Sequence, residues 1–186
     1  MATNAEARTV SFAAKSTGLV DIKSLVLLAI LLAAGFILNM TLGNALAIVG
    51  IKPQFIISAF CLTILVVRPN IGQALVIGLI SAAVIQITTT SPFIDFAAEG
   101  VAAMLMAAIV NAASKKGAVK PTAAVVATFV TTFVSGAIFM VIKMAMLGVV
   151  GELAAAMLPV VAMTAVFNAI LVGALYLPIQ KALKLN

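Results

Sequence analysis

Histidine and tryptophan are absent from the 186 residues, cysteine occurs once, and only five residues are acidic. Each shortage removes a class of chemistry. Without histidine there is no Ser/His/Asp set, and with Cys61 alone no intrachain disulfide can close and no cysteine pair can hold a metal. Cys61 lies within an apolar run, where a packing role is expected. No glycine-rich phosphate loop is present, so nucleotide hydrolysis has no residues to run on. The chain is not expected to be an enzyme, and nothing in it asks for a cofactor or a metal.

Charge is also scarce. Charged residues make up 9% of the chain and hydrophobic residues 65%, with a mean hydropathy of +1.30, whereas soluble domains carry about 25% charged residues. A soluble fold of this size cannot hide that much apolar surface, so the solvent around most of the chain is lipid. In a bilayer every backbone N–H and C=O has to be satisfied within the protein, which leaves helices or closed barrels. The apolar segments run to helix length for a hydrocarbon core about 30 Å thick and show no period-two alternation. The expected fold is all-α, an integral membrane bundle.

Charge and proline breaks give six spans, about 23 to 43, 53 to 67, 71 to 90, 95 to 113, 121 to 146 and 153 to 178. Residues 1–22 read as a polar cytoplasmic tail, followed by a six-helix substrate-binding domain over 23–186. Basic loops are retained in the cytoplasm. Of the 11 Lys and Arg, only Lys52 and Lys143 fall on one side; Arg8, Lys15, Lys23, Arg68, Lys115, Lys116, Lys120, Lys181 and Lys184 fall on the other. Both termini are therefore expected in the cytoplasm. The +6 net charge is accounted for by topology, because the basic residues are dispersed and carry no nucleic-acid motif. No internal repeat supports an inverted-repeat transporter within the chain.

No carboxylate lies deep in a span, as a proton relay would require, so energy is expected from elsewhere. What the spans do contain is neutral and polar. Asn39 lies about 24 Å from Lys23, Gln86 about 22 Å from Ile71 and Asn168 about 20 Å from Lys181, all toward the outer side. Glu6 and Asp21 belong to the tail, whereas Lys52, Asp95, Glu99, Lys143 and Glu152 crown that outer region. Phe55, Phe93, Phe96 and Met140 are nearby in sequence, as is Thr89 with Thr88 and Thr90; Thr164 accompanies Asn168. Such a pocket offers cationic, anionic, amide and apolar contacts to a small zwitterion with a flat apolar part, and its chemistry suits an aromatic amino acid. Each amide has a plainer reading, a bond to a neighbouring helix. In the first span, Ala29 and Ala33 set small residues on one face; close helix packing explains that spacing equally well.

The chain resembles the S components of energy-coupling factor (ECF) transporters, and among them the tryptophan-transporter type. The resemblance runs from about Lys23 to Lys184. It rests on Gly50-Ile51-Lys52-Pro53-Gln54-Phe55, Leu75-Val76-Ile77-Gly78-Leu79-Ile80, Thr88-Thr89-Thr90, Ser135-Gly136 and Tyr176-Leu177-Pro178-Ile179-Gln180. It implies six helices, both termini inside and a pocket opening outward, to which Gln54 is added as a binding residue. It also implies that Ala29 and Ala33 dock on a transmembrane coupling subunit carried by two cytoplasmic ATPases, in a prokaryotic plasma membrane. The whole S component would topple to deliver its cargo. The chain departs from the tryptophan-type pattern at Ser91-Pro92-Phe93-Ile94-Asp95-Phe96, which replaces a longer stretch, and at Gln54, where an acidic residue is usual. The substrate therefore stays open between tryptophan, a related aromatic compound and a vitamin-like molecule, and a self-sufficient homo-oligomeric carrier or channel is the alternative.

Overall fold

Local caps divide the chain into helices. In the computed structural model, which describes residues 21–47, 52–114 and 119–183, Asp21 accepts from the Lys23 N–H and opens α1 (Ile22–Leu38). That helix continues through a π-helical turn, Asn39–Gly43. α2 (Ile56–Val67) stops where Arg68 turns left-handed ahead of Pro69. Asn70 and Gln73 form a reciprocal capping box at the head of α3 (Ile71–Ile85). α4 spans Ile94–Ala113; α5 (Pro121–Leu147) starts on a proline, ends on left-handed Gly148, and leads into α6 (Gly151–Ala182). Most of the expected tail (Glu6, Arg8, Lys15), the loop residues Gly50, Ile51, Lys115 and Lys116, and Lys184 lie outside the described residues.

All the described regular structure is helical, in keeping with the all-α expectation. Among the described residues, four helices are long and apolar enough to cross a membrane: Ile22–Gly43, Ile94–Ala113, Pro121–Leu147 and Gly151–Ala182. The other two are shorter than the spans expected there. α2 begins at Ile56 rather than residue 53, and α3 ends at Ile85 rather than residue 90. At 12 and 15 residues they measure about 18 and 22 Å, less than a hydrocarbon core of about 30 Å. α2 can be short because it runs through the middle of the bundle: all its residues except Val66 are buried, and the other five helices pack around it.

Two glycines let helices touch backbone to side chain. A Cβ at Gly78 on α3 would lie 2.5 Å from the Glu99 carbonyl oxygen and 2.8 Å from the Ala103 Cβ on α4. A Cβ at Gly136 on α5 would lie 2.7 Å from Val161 Cγ1 on α6. The end carrying Lys23, Arg68, Lys120 and Lys181, all exposed, is tied shut. There the buried Tyr176 hydroxyl donates to the Val119 carbonyl (3.2 Å) and accepts from Gln180 (2.7 Å), and Asn111 Nδ2 donates to the Pro69 carbonyl (3.2 Å).

Because the Glu99 carbonyl is backbone and cannot swing aside, Gly78→Ala has to push α3 away from α4. Overpacking of this kind costs about 1–3 kcal/mol. Purified Gly78→Ala should melt measurably below the wild type in detergent, and an unchanged Tm would show that the α3–α4 contact is looser than described.

Candidate functional site

The ends of α4, α5 and α6 opposite Tyr176 surround a cleft of about 720 Å³, its open mouth included. Five chain segments build its wall. Lys52, Gln54 and Ile57 come from the lead-in and first turn of α2; Thr88, Thr89 and Thr90 come from the α3–α4 connection. α4 contributes Asp95 and Glu99, one turn apart. α5 contributes Thr132, Ser135, Gly136, Phe139 and Lys143, and α6 adds Met157, Val160, Val161 and Thr164.

The lead-in, Lys52–Phe55, is not helical, so its peptide groups need partners. Pro53 is buried and brings no N–H. Asn39, at the π-helical turn of α1, accepts from the Phe55 N–H (2.5 Å) and donates to Gln54 Oε1 (2.5 Å). Asn168, on α6, donates to the Gln54 carbonyl (2.9 Å). The two asparagines thus clamp the strip from opposite sides and present Lys52 and Gln54 to the cleft. Phe55 points away, buried edge-on against Phe167 with ring centroids 6.1 Å apart.

A second knot shapes the rim. Gln86 donates to Asp95 Oδ2 (3.2 Å) and accepts from the Phe93 N–H (3.0 Å), while the Ser91 N–H donates to Thr89 Oγ1 (3.2 Å). Phe93 is held at φ 70, an uncommon conformation for a bulky residue of the kind that collects at functional sites. Its ring is exposed and stacks on Phe96 outside the cleft.

Both carboxylates are almost wholly buried, Asp95 1% exposed and Glu99 2%. Ser135 donates to Glu99 Oε1 at 3.0 Å, whereas Glu99 Oε2 and the nearby Thr132 Oγ1 have no hydrogen-bond partner. Lys143 stands 5.6 Å over the Phe139 ring, a cation–π distance. The cleft therefore holds charges of both signs, unpartnered buried oxygens, hydroxyls and an apolar wall, the inventory for binding a small amphoteric molecule. Among the described residues no cluster of His, Cys, Asp and Glu is arranged to hold a metal.

Of the residues singled out in the sequence, Lys52, Gln54, Thr89, Asp95, Glu99 and Lys143 come together on the cleft wall. Asn39, Gln86 and Asn168 stand behind it as braces, Phe55 is packed into the bundle, and Phe93 lies outside the rim. Glu152 is exposed on α6 and off the wall. On α5, Thr132 and Phe139 were not singled out, although with Ser135, Gly136 and Lys143 they recur at helical spacing and mark one face. Ala29 and Ala33 are far from the cleft, exposed on α1, where they line an apolar groove with Leu25, Leu32, Ile80 and Val84.

Fold and site together define a helical membrane protein with a polar binding cleft sunk into one end. The chain belongs to the family described as tryptophan transporter TrpP, whose model matches residues 21–184. Membership of a transporter family accords with a non-enzymatic role and a small-molecule substrate. No curated protein and no solved structure matched the chain.

Removing the α1 brace should loosen the lead-in strip. In Asn39→Ala the buried Phe55 N–H loses its acceptor, a loss of about 1–3 kcal/mol. The variant should melt below the wild type and bind ligand more weakly although residue 39 does not line the cleft; unchanged stability and affinity would show that water replaces the clamp.

Proposed function

We propose that the chain is the substrate-binding S component of an ECF-type importer, taking up tryptophan or a closely related aromatic amino acid. The observation that carries this reading is the cleft itself, which sets Lys52 and Lys143 and the carboxylates Asp95 and Glu99 around one apolar-walled space. A free amino acid carries one charge of each sign. A lysine takes its carboxylate and Asp95 its ammonium, with Gln54 and the threonines orienting both. Phe139, Met157, Val160 and Val161 receive the ring, matching the family to which the chain belongs.

In this reading the six helices all span the bilayer of a prokaryotic plasma membrane, with residues 1–22 as a tail and 23–186 as the binding domain. The exposed basic end, with Lys23, Arg68, Lys120 and Lys181, faces the cytoplasm by the positive-inside rule, so both termini are inside and the cleft opens outward. Energy comes from partners, a transmembrane coupling subunit on two cytoplasmic ATPases. The exposed face of α1 bearing Ala29 and Ala33 is where that subunit docks.

The purified chain should bind L-tryptophan saturably with micromolar or better affinity, and Lys52→Ala should weaken binding without lowering the Tm. Absence of binding to tryptophan and other aromatic amino acids by calorimetry would overturn the capture role. In cells, Ala29→Phe with Ala33→Phe should abolish uptake while the purified double variant still binds. Uptake by the chain alone in liposomes, with no ATP or partner, would instead make it a self-sufficient carrier.

A further inference from the structure

Glu99 Oε2 and Thr132 Oγ1 are buried in the cleft and unpartnered, although buried polar groups in folded proteins almost always find a partner. Two hydroxyls lining the same cleft are already engaged. The Ser135 hydroxyl, one turn along α5 from Thr132, already serves Glu99 Oε1 at 3.0 Å, and Thr164 on the opposite wall donates to its own helix at the Val160 carbonyl (2.6 Å). A carboxyl oxygen can accept a hydrogen bond, so the free Oε2 is open to a donor that the ligand brings.

The position of that oxygen says which donor. Lys143 lies about 12 Å along α5 from Ser135, toward the mouth, and Asp95 lies about 6 Å along α4 from Glu99, also toward the mouth. The groups able to hold both charges of a zwitterion, Asp95 and Lys143, are therefore at the rim, beside the Thr88–Thr90 connection. An ammonium has three N–H groups to place, which suits the rim, where Asp95 stands with Thr88, Thr89 and Thr90 and Lys143 can take the carboxylate. Glu99 sits one turn further in, where Ile57, Met157, Val160 and Val161 supply the apolar surface. What arrives there is the far side of the ligand's ring.

We infer that Glu99 Oε2, positioned by Ser135 and accompanied by Thr132, accepts a hydrogen bond from a ring N–H of the substrate, so that the cleft selects an indole over aromatic side chains lacking that donor. The roughly one-turn offset between Asp95 and Glu99 is comparable to the reach from the α-ammonium of tryptophan to its indole nitrogen. This inference deepens the capture role and rests on it. Without a ring donor the buried carboxylate would stay unpaired, and sites built around a buried polar group reject analogues that leave it so.

The test compares L-tryptophan with 3-benzothienyl-L-alanine, in which sulfur replaces the ring N–H at nearly the same shape, by calorimetric binding to the purified full chain. The wild type should bind the sulfur analogue about 10- to 100-fold more weakly, the loss of one hydrogen bond to a charged group. Glu99→Leu should bind both with similar affinity. Glu99→Gln, which keeps an acceptor oxygen, should retain the preference, and it serves if Glu99→Leu does not fold. Equal affinity of the wild type for both compounds, or an undiminished preference in Glu99→Leu, would overturn the inference while leaving amino-acid capture standing. Failure of the wild type to bind either compound would overturn capture and this inference together.

Discussion

Everything at the candidate site depends on satisfying a short piece of non-helical backbone inside a helical bundle. Irregular backbone is tolerated at membrane depth only where protein buries it or where it lines a cavity, and Lys52–Phe55 meets both conditions. Pro53 and Phe55 are buried, while Lys52 and Gln54 line the cleft. Pro53 has no N–H to place, Asn39 takes that of Phe55, and Asn168 occupies the Gln54 carbonyl. A helix is about 10 Å across, so an α2 continued through these residues would fill space that the cleft now occupies. The clamp, by ending α2 at Ile56, makes room for a ligand.

The buried charges point the same way. Burying polar and ionisable groups is costly unless each finds a partner. Gln86 relieves one oxygen of Asp95 and Ser135 one of Glu99, but Glu99 Oε2 remains without a partner. A core selected only for stability would place leucine there. Ionisable groups inside membrane segments mark functional positions, and here the unsatisfied capacity faces the cleft, where a ligand can satisfy it.

Much of the fold was legible because lipid imposes a simple rule on length and hydropathy. The first, fourth, fifth and sixth apolar runs became helices close to their expected bounds. The same rule misjudged α2 and α3, since hydropathy does not register that Pro53 and Gln54 are held out of the helix or that Gln86 bonds across the following turn. Positions on the cleft wall were legible where charge was the signal, as at Lys52, Asp95, Glu99 and Lys143. The amides left two readings open because their partners are remote in sequence; Asn168 reaches Gln54 across 114 residues. Hydroxyls were hard to read for a different reason. Thr63, Ser81 and Thr128 simply donate to the carbonyl one turn back, whereas Ser135 reaches across to Glu99, and residue type alone does not separate the two.

α1 joins the cleft to the far surface of the protein. Its buried stripe, Leu28, Leu32, Gly35 and Asn39, recurs at helical spacing and faces α2; at Gly35 an added Cβ would come within 3.1 Å of the Ile56 Cα. The stripe ends at the residue that clamps the lead-in of α2, while the other side of the same helix exposes Ala29 and Ala33. A rigid helix transmits displacement along its length, and close-packed contacts are not continuously deformable. In the proposed assembly, a subunit docked on the alanine face would bear on the helix that holds Asn39, which in turn holds the strip carrying Lys52 and Gln54. The alanine face and the cleft lead-in are in this way joined by a single helix, whose Asn39 hydrogen bonds are its direct tie to the strip.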